Sequence, residues 1–429
     1  MGARMPGQKH ASRSLQRGAA TLLVVVVLFF ILALVTAYAG RNLIFEQRTS
    51  INNQRATQAF EMAEAGLEFA VGLLSGGRVD DRCQPTASTS EVTFRQRHFT
   101  NVDGTFTFSP AQADLRPTCM MLSGGPSCSC PGAGAPTLVE PVGLAPTIQL
   151  RFEPIAQPGL VRVTSRGCSS IGTQCYVAST KGQADAVSQV SVLLGLNSAL
   201  ATPPTAAITA RGSVNLSDAA VTVSNADAPT QGITIDAGGP VLNTALAHIT
   251  SVPGTPGSAS IRASDPSLTS LTADRMFVSL FGMERAVYRT QPAVVRVACS
   301  GACDTAIAEA VSANPGRVVW VQGPATIDSN LVLGDAANPV MLMLQGNLTV
   351  SANLQLFGVL YLHDASGTNV WTTGAGSTVI DGAVVAEGDL TIIGTPRISY
   401  DSSVLRTINT TQGSLVRVPG SWRDFEAGS

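Results

Sequence analysis

Eight cysteines, four histidines and a set of aspartates are the residues of this 429-residue chain whose types could do chemistry. Cys83, Cys119, Cys128, Cys130, Cys168, Cys175, Cys299 and Cys303 form an even set. Thiols bind metal or exchange electrons best at Cys-x-x-Cys spacing, and oxidise to disulfides outside a reducing cytosol. Cys128-Ser129-Cys130 is one residue too close, no histidine stands near it, and Cys299 to Cys303 misses the redox spacing too. Disulfides are therefore expected, and no metal. Cys168–Cys175 and Cys299–Cys303 would each close a short turn. Cys83, Cys119, Cys128 and Cys130 would supply two further bonds in any of three connectivities. His10, His98, His248 and His363 stand singly. No G-x-S-x-G, H-E-x-x-H, Walker A or G-x-G-x-x-G pattern falls in a useful setting. Neither an enzyme nor a cofactor is expected.

Composition narrows the classes further. The 27 Lys and Arg nearly balance 29 Asp and Glu, for a net charge of −2, and charged residues are only 13% of the chain. Nucleic acid is excluded as a partner, because neutralising phosphates needs a basic surface. Hydrophobic residues reach 45% with only 5% aromatics, beside 41 Gly and 24 Pro. Small aliphatic residues between frequent turns predict a β-rich chain.

Its N-terminus is of another kind. Residues 1–18 carry Arg4, Lys9, His10, Arg13 and Arg17 without an acidic residue, and residues 19–40 carry no charge. At about 1.5 Å rise per residue the uncharged run spans a bilayer core of about 30 Å. Basic residues ahead of it predict a single pass with the N-terminus in the cytoplasm. A cleaved secretory signal with Ala37-Tyr38-Ala39 as its site competes with this, but the apolar run is longer than such signals use. Beyond the span, Leu43, Ile51, Ala56, Ala59, Phe60, Ala63, Leu67, Ala70, Val71 and Leu74 recur at three- and four-residue steps, with Arg48, Gln54, Arg55, Glu61 and Glu64 between them. That is one amphipathic helix continuous with the span, ended by Gly76-Gly77.

The junction Arg17-Gly18-Ala19, directly before the apolar run, resembles the class III leader of type IV pilins. The run 58–67, Gln-Ala-Phe-Glu-Met-Ala-Glu-Ala-Gly-Leu, is similar to the helix of PilX-family minor pilins. The tail 418–424, Val-Pro-Gly-Ser-Trp-Arg-Asp, resembles the ends of large members. The resemblance implies cleavage after Gly18 and methylation of Ala19 by a prepilin peptidase. Major pilins carry Glu at the fifth mature position, where it is held to pair with the N-terminal amine of a neighbouring subunit. That position here is Leu23. Its loss implies a subunit with no need to dock beyond itself, one that primes type IV pilus assembly and sits at or near the tip. The partners implied are other minor and major pilins, the peptidase and the inner-membrane pilus assembly machinery. The location implied is the inner membrane facing the periplasm, then the pilus tip and cell surface. Display of the C-terminal region for adhesion to a surface or host ligand would follow. The tip pseudopilin of type II secretion is an alternative within this class.

The fold class expected is α+β. Residues 1–18 are the leader and 19–77 the transmembrane and amphipathic helix. Residues 78–197 are a pilin-like antiparallel β domain with disulfide loops. In it, 92–94 and 105–108 read as short strands, and 147–153, 159–167, 175–181 and 184–194 as a meander. Residues 198–206 read as a linker. Residues 198–429 are a β-solenoid-like domain, because 211–223 and 345–356 share a pattern of Gly, short strand, polar corner and short strand. A helical insertion at about 237–316 interrupts it, with Asp265-Pro266 starting one helix and 304–313 forming another. A membrane-anchored β-helix enzyme acting on polysaccharide is the alternative from another class. Asp328, Asp335, Asp364, Asp381 and Asp389 would then bind calcium, and His363 would abstract the proton. No Lys or Arg lies between 330 and 396, and Asp beside Gly, Ser or Ala ordinarily caps a turn.

Overall fold

The computed structural model describes residues 2, 16–102, 104–108, 115–130, 145–169, 186–217, 220–374 and 376–424. It has two units, Met1–Gln58 and Ala59–Ser429. One helix, Gln16–Ser75, supplies the first unit and the opening of the second.

In the second unit the helix keeps the stripe its sequence dictates. Ala59, Ala63, Leu67, Ala70 and Leu74 are buried at three- and four-residue steps. They pack on a six-stranded antiparallel sheet in the order Gly413–Arg417, Val187–Ser198, Leu160–Cys168, Thr147–Pro154, Thr118–Leu122, Gly125–Ser129. Alternate residues of its strands, Leu150 and Phe152, Val161 and Val163, Val190, Val192 and Leu194, face the helix stripe. The contact is unusually close. A Cβ on Gly167 would strike the backbone of Ala59 and Ala63, and one on Gly66 would strike Ser165 Oγ. Small residues here let two backbones touch, as glycine permits where no side chain fits.

Two local expectations change. Residues 92–94 are not a strand: Thr93 caps the helix Phe94–His98, and Thr93 and Gln96 satisfy each other's ends as a capping box. The strand 105–108 is present and pairs with Phe99–Val102. The strand expected at 175–181 lies outside the described residues. One of the expected disulfide loops contains the hairpin Thr118–Leu122 and Gly125–Ser129.

Residues 208–400 build a parallel β-solenoid. Val318–Gln322 pairs Val340–Gln345, Ala325–Ile327 pairs Leu348–Val350, and Leu331–Leu333 pairs Leu354–Leu356, each 23 residues on. Leu342, Leu344, Leu360, Leu362, Val384 and Ala386 point into the solenoid. The alternate residues Met341, Met343, Val359, Tyr361, Ala383 and Val385 point outward, yet are also buried. Burial on both faces explains the nearly unbroken apolar runs 340–344 and 359–362. Strands Leu354–His363 and Thr378–Ala386 each turn a corner within one strand, at Gly358 and Gly382, both at φ +146°. A Cβ on Gly382 would strike the Gly358 carbonyl of the coil below. Asparagines line other corners: Asn353 N donates to Asn330 Oδ1 at 3.2 Å, and Ser377 N to Asn353 Oδ1 at 2.8 Å.

Stacking order differs from chain order. The first coil, beginning at Ile208, lies on the last: Ile208 pairs Val384, Val214 pairs Leu390, and Thr222 pairs Arg397. From there Ile235–Ala237 and Ile261–Arg262 continue outward. The other end of the stack begins at Val294–Ala298 on Val318–Gln322. The chain must therefore return along the outside, and it does so as the helices Pro266–Thr269, Ala273–Phe281 and Arg285–Tyr288. Phe277, Phe281 and Tyr288 cover the outward face of the sheet. The insertion expected at 237–316 is thus narrower. Its flanks at 241–250, 261–262 and 294–302 are solenoid strands, and Asp304–Ala313 is a helix beside them.

Two further boundaries move. Residues 198–206 are no free linker, since Ala199 and Leu200 are buried with the covering helices and Ala199 N donates to the Gln412 carbonyl. The tail does not end the solenoid: Gly413–Arg417 pairs Val187–Ser198 antiparallel, and Trp422 meets Phe60 edge-on at 6.5 Å. The chain crosses between the sheet and the solenoid twice, at neighbouring points.

Gly167→Val should destabilise the second unit by about 3 kcal/mol, since the added atoms meet backbone that cannot rotate away. Gly72→Ala, where a Cβ meets nothing, should add about 1 kcal/mol. Denaturant unfolding of the detergent-solubilised chain checks both; equal effects would refute the close contact.

Candidate functional site

The first unit presents its helix bare. Residues 20–39 are exposed on every side, Leu23 at 65% and Phe29 at 71%. One helix in the described residues is long and apolar enough to cross a membrane, and it is this one. A helix apolar all round needs lipid or other helices around it. Its polar Thr36 donates its hydroxyl back to the Leu32 carbonyl at 2.9 Å, so it offers lipid no open donor. Gly18 and Ala19 stand in the first turn of the helix, which begins at Gln16.

The described cysteines are all bonded. Cys83 pairs Cys130, Cys119 pairs Cys128, and Cys299 pairs Cys303. The first ties the segment after the long helix to the edge hairpin, and the second joins the hairpin's two strands at facing positions. Cys168 is disulfide-bonded, and Cys175 lies outside the described residues. These bonds hold loops in place.

The residues of a lyase-like site are dispersed. Asp335 accepts from Ala337 N and Asn338 N, and Asp364 from Ser366 N, so both cap turns. Asp389 instead accepts from Ser213 N of the neighbouring coil at 2.7 Å. Asp381 lies inside the strand Thr378–Ala386, which corrects its expected place at a turn. Among the described residues no three His, Cys, Asp or Glu gather as metal ligands would. His98 is buried against Phe94, His248 is exposed, and His10 is outside the described residues.

His363 alone joins a cluster, around Glu387. Glu387 is 2% exposed. Arg285 Nη2 donates to its Oε2 at 2.9 Å and Arg285 Nη1 lies 2.7 Å from Oε1. His363 Nδ1 lies 2.5 Å from Oε2, and the Tyr361 hydroxyl donates to Oε1. Arg211 Nε donates to the Glu387 carbonyl at 2.5 Å, and Phe277 lies under the Arg285 guanidinium at 4.6 Å. Burial works to raise the pKa of Glu387, but His363, Arg285 and Tyr361 outweigh it and hold it below the ordinary value. Each oxygen accepts a hydrogen bond, one from Arg285 and one from Tyr361. The cluster works as a rivet that fixes the outer helices to the solenoid. Arg285 and Glu387 are 102 residues apart, and neither carries a local motif. Their one sequence signal is Glu387 following the apolar run 383–386.

A second carboxylate pair sits two coils away. Arg262 Nη1 lies 3.2 Å from Asp236 and 3.5 Å from Asp265. Burial pushes Asp236 up to about 6 despite Arg262. Asp265 caps the helix Pro266–Thr269 through Ser267 N.

Comparison with known proteins bears on the helix. Residues 17–68 match the family described as PilX N-terminal. This is a PilX-type N-terminal segment. The match covers the helix alone, which is the segment long and apolar enough to cross a membrane. No curated protein matches the chain. Among solved structures, the competence-associated pilin ComZ from Thermus thermophilus aligns with 86% of this chain and 97% of its own length, at 11% identity and a TM-score of 0.22. A score that low does not establish a shared fold.

Glu387→Ala leaves the half-buried Arg285 with only the exposed Asp274, 3.3 Å away, as counter-charge and should cost about 3 kcal/mol of stability at neutral pH. Because the Glu387 pKa is depressed, its contribution is full above the ordinary carboxylate value and is lost as pH falls through the depressed one. The gap between wild type and Glu387→Gln in urea unfolding should therefore narrow below about pH 4.

Proposed function

We propose that the chain is a minor pilin that primes type IV pilus assembly and stays at or near the pilus tip. It waits in the inner membrane as a single pass with the N-terminus in the cytoplasm. A prepilin peptidase cuts after Gly18, and the helix from Ala19 then leaves lipid for a bundle of other pilin helices. The observation that carries this reading is the division of the helix within a PilX-type segment. Residues 20–39 are bare on all sides, while 59–74 are fixed to a sheet. Such a helix exchanges one apolar surrounding for another without unfolding its own domain.

Leu23 supports the end position. A carboxylate among lipid tails is costly unless it has a partner. A subunit with Leu23 enters a filament with no demand for an amine from a subunit beyond it. The solenoid would then be carried at the outer end and faces the surroundings. Asp335 and Asp364 cap turns and Asp389 braces the adjacent coil, which suits a displayed domain.

Gly18→Ala should leave the full-length precursor in the membrane and few or no pili, while wild type yields a chain starting at methylated Ala19; N-terminal mass analysis reads both. Leu23→Glu should still insert but change the number of filaments per cell, counted by electron microscopy. An unchanged count, with the subunit still at filament ends, would remove the priming argument.

A further inference from the structure

The helix of the first unit stays apolar past the point where its charge begins. Arg41 is the first charged residue after the span, yet Leu43, Ile44 and Phe45 beyond it are 59%, 55% and 71% exposed. Arg41 and Arg48 are both exposed. They stand seven residues apart, so they share one face of the helix, about 10 Å from each other along it. With Tyr38, Asn42, Ile44 and Phe45 they line one shallow hollow. Among the described residues neither arginine has a carboxylate partner. Glu46, the acid nearest in sequence, is turned about 140° from Arg41 and about 160° from Arg48.

Their depth follows from the length of the span. Arg17 to Arg41 is 24 residues, about 36 Å of helix. A bilayer core is about 30 Å thick, and about 40–45 Å with its headgroups. A centred span therefore puts Arg41 in the headgroup layer on the side away from the leader. Cα–Cβ bonds of a helix tilt toward its N-terminus, which here is the membrane side. The Arg48 side chain, two turns further out, thus leans back toward the same layer, as long basic side chains do at interfaces. Tyr38 below suits the boundary between core and headgroup, with an apolar ring and a polar tip. The hollow so combines two guanidinium groups, the Asn42 amide and an apolar border at headgroup depth. Guanidinium binds phosphate oxygens by paired hydrogen bonds. Two positive charges with no acid on their face favour a headgroup of net negative charge over one that brings its own ammonium.

We propose that Arg41 and Arg48 together hold the phosphate of an anionic phospholipid in the leaflet away from the leader. The inference rests on the reading of residues 20–39 as a span and is independent of pilus assembly.

The test places the full-length chain in phosphatidylcholine bilayers with spin-labelled phosphatidylglycerol or phosphatidylcholine as the probe. Paramagnetic resonance then reads the fraction of each lipid held at the protein. Arg4, Lys9, Arg13 and Arg17 are each replaced by Gln in every chain, so that the basic leader makes no contribution. Phosphatidylglycerol should be held roughly fivefold over phosphatidylcholine. Arg41→Gln with Arg48→Gln should bring that ratio close to one. Arg48→Gln with Gln47→Arg keeps the net charge but turns one guanidinium about 100° round the helix. It should lose most of the preference, which a general attraction between charges would keep. Equal retention of the two lipids would overturn the proposal, as would a preference kept in either variant. A chain that does not enter the bilayer would overturn the span reading beneath it. Equal retention together with loss of the Arg41→Gln, Arg48→Gln chain from sheared filaments would assign the arginines to carboxylates of a neighbouring helix instead.

Discussion

The structure depends on an apolar helix surface that its own chain never covers. Residues 20–39 expose leucine, valine, isoleucine and phenylalanine on all sides. Removing such area from water is worth roughly 25 cal/mol per Å², so the segment is stable only in lipid or among other helices. The docked half of the same helix is built to the opposite requirement. Ala59, Ala63 and Gly66 bring it against Gly167 at backbone distance, and Leu67, Ala70 and Leu74 fill the core. A helix tied this closely can change its surroundings at one end without loosening the domain at the other.

A second constraint orders the large domain. A parallel solenoid leaves open strand edges at its ends, and each coil stacks by pairing its strands on those of the next. Here the first coil in sequence lies on the last, so the chain must run back along the outside. The covering helices do this and bury the outward-facing Met341, Met343 and Tyr361. Arg285 and Glu387 pin them to the sheet through a close ion pair. The tail then returns to the antiparallel sheet through Gly413–Arg417, so the two β regions are joined by paired strands and not by a hinge.

What the sequence revealed was governed by distance along the chain. The span, the stripe from Ala59 to Leu74, the stop at Gly76-Gly77, the Asp265 cap and the helix at 304–313 all follow from neighbours within a few residues. So does the solenoid texture, since Gly and Asn corners recur at short range. The strand read at 92–94 failed locally, because apolar alternation hid a capping box between Thr93 and Gln96. The other misses were long-range. Nothing near 241–262 distinguishes a coil from an insertion until Val214 pairs Val241 and Ile235 pairs Ile261. Nothing near Arg285 announces Glu387, 102 residues away. Turn capping explained Asp335 and Asp364, but Asp389 serves the adjacent coil, a role only the stacking order creates.

The central claim is that the bare helix leaves the membrane for a filament. Filaments sheared from cells and freed of membrane, then analysed by mass spectrometry, address it most directly. The account predicts this chain among them, beginning at Ala19 and in small molar share beside the bulk subunit. Its confinement to the membrane fraction, or its release as a soluble form beginning at Gly40, would contradict the account.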